Sequence, residues 1–128
     1  FETVMLTLEN GRAGAMPVMV GGLDDAAINA LVVYVQSMSG QKADPALAAE
    51  GKKSFDMLCV ACHGVDGSGN QALGAPRLND DIWLYGGDPE TIKVTLTQGR
   101  TGNMPAFKGQ LTEDERRLIS AYVLSLSQ

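Results

Sequence analysis

Two segments of this chain, one near each end, are copies of the same sequence. When residues 2–39 are aligned with residues 90–127 at a constant offset of 88, 15 of the 38 paired positions are identical and no gap is needed. About two or three identities would arise by chance at average residue frequencies. The chain is therefore an internal duplication, and its fold has to accommodate the repeated segment twice.

The period of the repeat predicts how the chain is divided. A repeating unit of about 88 residues makes residues 41–128 a complete domain and residues 1–40 the C-terminal portion of a first, related domain. The segment CVACH, at residues 59–63, occurs only once, because its counterpart would fall upstream of residue 1. We expect the first copy to lack this segment, and the chain to be a processed product or a piece of a longer protein.

Composition limits the class of protein. A length of 128 residues with 45% hydrophobic and 20% charged residues is ordinary for a globular domain. The net charge of −5 argues against a nucleic-acid partner, because binding phosphates requires a clustered basic face. Aromatic residues make up only 5%, so the core has to come from aliphatic side chains or a large apolar cofactor. No apolar run approaches the roughly 18 residues of a membrane-spanning helix.

Local signals predict helices joined by long loops. Helix starts are indicated by a capping residue, by a capping residue followed by proline, or by a capping box: Asp24, Asp44–Pro45, Asp88–Pro89, and Thr112 with Glu115. These starts predict helices over about 45–62, 89–98, 113–126 and, in the first copy, 25–38. The segment 64–87 is rich in Gly, Asp and Asn and predicts a long loop that wraps around something. No strand is indicated, so we expect an all-α fold.

Two helix faces carry specific expectations. Leu118, Ile119, Tyr122 and Leu126 share one face of the last helix, which predicts that this face is buried. Residues 1–40, without a cofactor of their own, would expose an apolar face formed by Leu31, Tyr34 and Val35. We therefore expect this segment to pack on the complete domain, to pair with another chain, or to belong to a longer protein.

The only two cysteines and the only histidine lie within five residues, as Cys59, Cys62 and His63. Cys-x-x-Cys-His is the attachment signature of c-type haem. Its two thiols can form thioethers with the two vinyl groups of a porphyrin, and the histidine then ligates the iron. A structural zinc needs four ligands and a thioredoxin-like pair needs a βαβ unit. A disulfide leaves His63 and the long loop unexplained. We therefore predict one covalently attached haem c.

The sixth iron ligand is expected to be a methionine, since no second histidine exists. Met104 lies in a glycine-flanked loop and precedes Pro105, which favours it over a role as a gap-filling side chain. Met16 occupies the same position in the first copy and is expected to ligate a haem attached outside this chain. The other methionines match apolar packing positions: Met5, Met19, Met38 and Met57.

This ligand set predicts an electron carrier. His/Met ligation raises the reduction potential and leaves no vacant site on the iron. A gas sensor would require Met104 to leave the iron. No nucleophile with a neighbouring base is present, so the chain on its own reads as a non-catalytic module.

The residues that surround the attachment motif resemble a known family. Residues 41–128 are similar throughout to a class I c-type cytochrome domain. The segments CHGVDGSGNQALGAPRLNDDIWLYGG, GRTGNMPAF and LISAYVLSLS resemble the dihaem c-type subunit of bacterial cbb-type cytochrome c oxidases. The resemblance implies two such domains in tandem, which deliver electrons to a haem-copper oxidase that reduces O₂ to water. A cytochrome subunit of a periplasmic dehydrogenase and a soluble carrier are the alternatives.

The resemblance also implies roles for individual residues. The carbonyl of Pro76 is expected to accept a hydrogen bond from Nδ1 of His63, unless Pro76 is an ordinary loop proline. Trp83 and Tyr85 are expected near the haem propionates or, alternatively, in the core.

The remaining implied roles concern charge and helix packing. Arg77 and Arg100 are candidate propionate partners, or else solvated surface residues. Gly51 and Tyr122 match the close contact between the first and last helices of such a domain.

Partners and location follow from the same resemblance. The expected partners are redox proteins, namely the catalytic subunit of the oxidase and other c-type cytochromes. The acidic charge either steers a basic partner or keeps the domain soluble. We expect a location on the periplasmic side of the bacterial inner membrane, with membrane attachment only through the parent complex or an anchor outside this sequence.

Overall fold

The computed structural model describes residues 1–128 and is mainly helical with one small sheet. Its elements are α1 (Glu2–Asn10), β1 (Arg12–Met16), α2 (Asp25–Met38), α3 (Pro45–Leu58), α4 (Val60–His63), α5 (Pro89–Gln98), β2 (Arg100–Met104) and α6 (Glu113–Leu126). β1 and β2 pair to form a two-stranded sheet. The expectation of an all-α fold without strands is therefore wrong in this detail. The two strands are short, glycine-containing and mostly exposed, so no alternation of apolar side chains marked them in the sequence.

The helix starts follow the local signals. The side chain of Asp24 accepts a hydrogen bond from the backbone N–H of Ala27, and Asp88 caps α5 in the same way. Thr112 and Glu115 form the predicted capping box at the start of α6. The predicted helix over about 45–62 is interrupted, because α3 ends at Leu58 and a separate single turn follows it.

The two repeated segments have matching local structure. β1 and β2, and likewise α2 and α6, have bounds that differ by the repeat offset of 88. In the first copy Arg12 Nε donates to Thr7 Oγ1 at 2.6 Å, and in the second Arg100 Nε donates to Thr95 Oγ1 at 3.0 Å. The two copies thus build the same helix–strand junction.

The chain forms two compact units, and each unit contains parts of both copies. Unit 1 consists of Phe1–Gly14 with Thr101–Gln128, and unit 2 is Ala15–Arg100. The division into residues 1–40 and 41–128 remains a prediction about how the sequence repeats. The fold combines the segments differently, since α2 of the first copy belongs to the same unit as α3, α4 and α5.

The core of unit 2 is built where α2 packs against α3. Leu31 and Phe55 are fully buried there, and the ring of Tyr34 contacts that of Phe55. Gly51 allows the close approach, because a Cβ at this position would overlap the carbonyl oxygen of Ala30. Of the alternatives expected for the apolar face of Leu31, Tyr34 and Val35, the structure shows packing on the second copy, since α3 covers this face. The buried core cluster is Val20, Ile28, Leu31, Val32, Val35, Phe55, Cys59, Ile92 and Leu96.

Unit 1 pairs α1 with α6. The residues of α6 that are buried are Arg116 and Ser120, whereas its apolar residues Leu118, Tyr122 and Leu126 are exposed. The prediction that these apolar residues form a buried face is therefore wrong. The apolar face of α6 is not covered by α3, because the equivalent helix of the first copy, α2, packs on α3 instead.

The expected contact between Gly51 and Tyr122 is also replaced. Tyr122 is 65% exposed, and the equivalent tyrosine of the first copy, Tyr34, lies beside Gly51 instead.

None of the helices combines the length and the hydrophobicity needed to span a lipid bilayer.

Candidate haem site

The cysteines of the CVACH segment lie at the junction of α3 and α4. Cys59 ends α3 and its carbonyl accepts hydrogen bonds from the N–H groups of Cys62 and His63. This single turn places the two thiols on neighbouring positions of one helical face, with Cys59 buried and Cys62 exposed. Both thiols are free.

Burial sets the protonation state of the first thiol. Desolvation, followed by the nearby Cys62, raises the pKa of Cys59 to about 11. Cys59 is therefore a neutral thiol at physiological pH, held among apolar side chains.

The imidazole of His63 has one fixed hydrogen bond. His63 is only 7% exposed, and its Nδ1 lies 3.0 Å from the carbonyl oxygen of Pro76. A carbonyl can only accept, so Nδ1 donates this hydrogen bond, and in the neutral imidazole Nε2 is the nitrogen that carries the lone pair. The hydrogen bond that the resemblance implies for Pro76 is present, and it orients the ring for ligation through Nε2.

The loop after His63 folds back on itself and holds the Pro76 carbonyl in place. The N–H of Gly69 donates a hydrogen bond to the carbonyl oxygen of His63 at 2.8 Å. The N–H of Leu78 donates to the carbonyl oxygen of Gly67 at 2.7 Å. Gly69 has a φ of 81°, and a Cβ on it would lie 2.9 Å from the carbonyl carbon of Pro76. Only glycine fits this crossing, so the position of the His63 acceptor depends on it.

Two of the predicted cofactor-binding residues contact each other. The guanidinium carbon of Arg100 lies 4.1 Å from the centroid of the Tyr85 ring, a cation–π contact. Trp83 is half-buried and packs on the core of unit 2. Arg77 is exposed, and its Nε donates to Asn79 Oδ1 at 3.3 Å.

The structure separates the two methionines that the repeat makes equivalent. Met16 belongs to unit 2, is half-buried and packs against the core cluster that contains Cys59. Met104 belongs to unit 1 and is 37% exposed. The sequence favoured Met104 for His63 because both lie in residues 41–128, and no local signal distinguishes the two methionines.

The other methionines differ in exposure. Met57 is 73% exposed, so its assignment to the core is wrong. Met19 is also exposed, whereas Met38 packs on the core of unit 2.

The donor atoms fit a covalently held haem better than a bare metal ion. No group of three or more His, Cys, Asp or Glu side chains is close enough together to hold a metal ion. The site instead offers two thiols one turn apart and one imidazole with a free Nε2, beside an apolar core. This set matches attachment through two thioethers with a single protein nitrogen on the iron.

Comparison with known proteins agrees with this geometry. Residues 46–123 match the family described as cytochrome c oxidase, cbb3-type, subunit III. A cbb3-type cytochrome c oxidase subunit CcoP of Cereibacter sphaeroides is 48% identical over 106 residues, which cover 83% of this chain and 37% of the relative. The subunit FixP of Bradyrhizobium diazoefficiens is 48% identical over 94 residues, or 73% of this chain and 32% of the relative.

A third relative extends the match across the whole repeat. The subunit CcoP of Rubrivivax gelatinosus is 39% identical over 130 residues, which cover 99% of this chain and 42% of the relative. The chain thus spans about two fifths of the length of such relatives, and the resemblance noted in the sequence is confirmed. This chain belongs to the family of subunit III of cbb3-type cytochrome c oxidases.

Proposed function

We propose that the chain transfers electrons through one covalently attached haem c, within the dihaem cytochrome c subunit that supplies a cbb-type haem-copper oxidase. The observation that carries the proposal is the buried His63, whose Nδ1 is held by Pro76 beside two free thiols one turn away. The family match and the printed names of the relatives support the same function. The fold we propose for this site is that of a class I cytochrome c, with helices and a long loop around the haem.

The attachment motif supplies three of the contacts. The sulfurs of Cys59 and Cys62 would hold the haem through thioethers, and His63 Nε2 and a methionine sulfur would ligate its iron. The repeat predicts that this methionine is Met104 and that Met16 serves a haem attached outside this chain. When bound, the haem supplies a one-electron couple whose potential is raised by His/Met ligation.

The surrounding residues orient the group and exclude water from it. The hydrogen bond from His63 to Pro76 fixes the ring plane of the imidazole. Arg100, held over Tyr85, presents a fixed positive charge to a propionate. Arg77 and Trp83 are proposed to contact the propionates as well, from the loop that follows the motif.

Location and partners follow from the proposed role. Relatives are named as oxidase subunits, so we propose the catalytic subunit and other c-type cytochromes as redox partners. The proposed location is the periplasmic side of the inner membrane. The net charge of −5 favours electrostatic steering of a basic partner, with an association rate that falls as salt is added.

The test begins with the mass of the chain purified under denaturing conditions after expression with the haem-attachment machinery. We expect the polypeptide mass plus one haem, and the polypeptide mass alone for the double variant Cys59→Ser/Cys62→Ser. Stopped-flow mixing of the reduced chain with oxidase that lacks its own subunit III should then show rapid haem oxidation. A wild-type mass without haem would overturn the proposal of a haem site, and failure of electron transfer would overturn the assigned partner.

A further inference from the structure

We propose that Thr95 is a positioning residue for the haem site: its hydroxyl holds the guanidinium of Arg100, the proposed partner of a haem propionate, in one orientation. This inference rests on the proposed haem site and deepens it, because it names the residue through which that positive charge is fixed. The expected consequence is a higher reduction potential of the attached haem.

The first observation is a pair of consecutive hydrogen bonds that ties Arg100 to α5. Arg100 Nε donates to Thr95 Oγ1 at 3.0 Å, and Thr95 Oγ1 donates to the carbonyl oxygen of Thr91 at 3.1 Å. A guanidinium can only donate and a carbonyl can only accept, so the single proton of the Thr95 hydroxyl is directed to Thr91. The lone pairs of that oxygen are left to accept from Arg100, and the hydroxyl acts as a fixed acceptor.

The second observation is that the guanidinium is held from two sides. Its central carbon lies 4.1 Å from the centroid of the Tyr85 ring, while Nε is bonded to Thr95. The preceding residue, Gly99, has a φ of 73°, and its N–H donates to the carbonyl oxygen of Thr95 at 2.9 Å. This left-handed turn suits glycine and brings the Arg100 side chain back along α5. The ring and the hydroxyl together restrict both the position and the plane of the guanidinium.

The outer nitrogens of Arg100 are left free by these contacts. Neither Nη1 nor Nη2 donates to a protein acceptor, and no Asp or Glu forms an ion pair with Arg100. The buried side-chain atoms without a hydrogen-bond partner are Arg116 Nε and Ser120 Oγ, so the Nη atoms of Arg100 are accessible from outside the protein. An arginine fixed at Nε with both Nη atoms open is arranged to bind a carboxylate through two parallel hydrogen bonds.

The same hydrogen bonds recur in the first copy of the repeat. Arg12 Nε donates to Thr7 Oγ1 at 2.6 Å, and Thr7 Oγ1 donates to the carbonyl oxygen of Thr3 at 2.8 Å. All three residues are identical to their counterparts 88 positions later, although only 15 of the 38 paired positions are identical. Both copies have therefore kept the arginine together with the threonines that orient it.

Holding this charge in place affects the haem through electrostatics. Oxidation adds one positive charge at the iron, so a nearby cation disfavours the oxidised state and raises the reduction potential. Without the hydroxyl, the Arg100 side chain would explore other orientations in water, where its charge is more strongly screened. Removing the hydroxyl alone should therefore lower the reduction potential, even though the arginine is still present.

Substitutions at Thr95 and Thr97 test this role by redox titration of the whole 128-residue chain with its haem attached. Thr95→Val keeps the shape but removes the hydroxyl, and we expect its potential to shift downwards. Thr95→Ser retains the hydroxyl and should match the parent. Thr97→Val is the control, because Thr97 Oγ1 makes the same kind of bond to the carbonyl of Lys93, at 2.8 Å, but accepts none from an arginine. No shift in Thr95→Val, or equal shifts in both valine variants, would overturn the proposal.

A double-mutant cycle distinguishes positioning from a general effect on the fold. Arg100→Gln removes the charge itself and should lower the potential at least as far as Thr95→Val does. Adding Thr95→Val to Arg100→Gln should then cause no further shift, because Thr95 acts through Arg100 alone. The same shift from Thr95→Val in both backgrounds would contradict the positioning role.

A measurement on the unsubstituted chain guards against a variant that fails to fold. In nuclear magnetic resonance of the reduced protein, the Nε–H of Arg100 should exchange with water more slowly than that of Arg77. Arg77 is exposed, and its bond to Asn79 is longer at 3.3 Å. Equal or faster exchange at Arg100 would overturn the proposal. Intact mass separates the two proposals: a chain without haem contradicts the haem site itself, whereas haem attached with an unshifted potential in Thr95→Val contradicts only the role of Thr95.

Discussion

The ring of Tyr34 stands edge-on to the ring of Phe55, with centroids 5.1 Å apart and an angle of 64° between the planes. Such edge-to-face pairs add to the stability gained from burial. The contact joins α2, from the first copy, to α3, which leads into the attachment motif. The two copies of the repeat thus meet in one hydrophobic core.

Replacing the two equivalent tyrosines should have unequal effects on stability. Tyr34→Ala removes a ring packed on Phe55 and should lower the free energy of unfolding by about 3 kcal/mol, as for other large-to-small core changes. Tyr122→Ala removes a ring that is exposed and should cost less than about 0.5 kcal/mol. Urea denaturation followed by circular dichroism measures both. Similar losses from the two variants would show that α6 also packs on the core.

Gly51→Ala tests how closely α2 and α3 approach. A Cβ at residue 51 would overlap the Ala30 carbonyl and lie 2.8 Å from Tyr34 Cβ, so the helices have to separate. Overpacking of this kind costs about 1–3 kcal/mol, which exceeds the roughly 1 kcal/mol that alanine gains over glycine inside a helix. A lower melting temperature is therefore expected.

Gly22→Ala is the matched control for that change. Residue 22 lies in the same unit, and a Cβ there would meet no atom within 4 Å. Its melting temperature should stay close to that of the unsubstituted chain. If Gly51→Ala were equally harmless, the tight contact between the helices would be refuted.

Gly69→Ala should disturb His63 from a distance. The added Cβ would press on the backbone at Ala75 and Pro76 and displace the carbonyl that accepts the hydrogen bond from His63 Nδ1. A weaker hydrogen bond makes the imidazole a poorer donor to the iron, so the reduction potential of the attached haem should rise. Gly40→Ala is the control, because it has a similar φ of 84° but no atom within 4 Å of the added Cβ. A redox titration in which both variants match the parent would contradict the role given to this loop.

The capping box of α6 should make stability depend on acid pH. The backbone N–H of Thr112, and then its hydroxyl, hold the pKa of Glu115 below its usual value. A lowered pKa in the folded state stabilises the protein above the unfolded pKa of about 4.3, and this stabilisation is lost as pH falls through the folded value. Glu115→Gln keeps a capping side chain but cannot titrate, so the fall in melting temperature between neutral and acid pH should be smaller.

Glu90→Gln serves as the comparison for the pH experiment. Glu90 lies in the first turn of α5, where Asp88 rather than a capping box provides the cap. Its replacement removes one carboxylate from a first helical turn without touching a capping box, so it controls for the loss of charge alone. A pH profile of Glu115→Gln that follows the parent would contradict the role of the capping box.

Local features of this protein could be read from the sequence, whereas the choice of long-range partners could not. Asp24, Asp88 and Thr112 act within three residues of themselves, so each helix start was predictable. The attachment motif is equally local. Which helix covers α3 was not predictable in this way, because Tyr34 and Tyr122 occupy equivalent positions in two helices of the same length.

A few sequence differences between α2 and α6, spread along the two helices, decide which of them packs on α3. Ile28 and Val32 face the core where the second copy has Arg116 and Ser120, a contrast that becomes meaningful only when both helices are considered for one site. The strands escaped prediction for a related reason. They pair through backbone groups, which leave no pattern in the side chains.

The position of α2 ahead of α3 also has a consequence for how the molecule is made. A chain that is exported as it is synthesised crosses the membrane with its N-terminal residues first, so α2 is available when α3 emerges. The last residue of α6 follows the last residue of α3 by 126 − 58 = 68 positions, which takes on the order of 3–14 s at about 5–20 residues per second. Contacts between nearby segments form in far less than a second. During biosynthesis α2 can therefore pack on α3 before α6 has been made, so the order of synthesis and the hydrophobicity of the helices both favour α2 as the partner of α3.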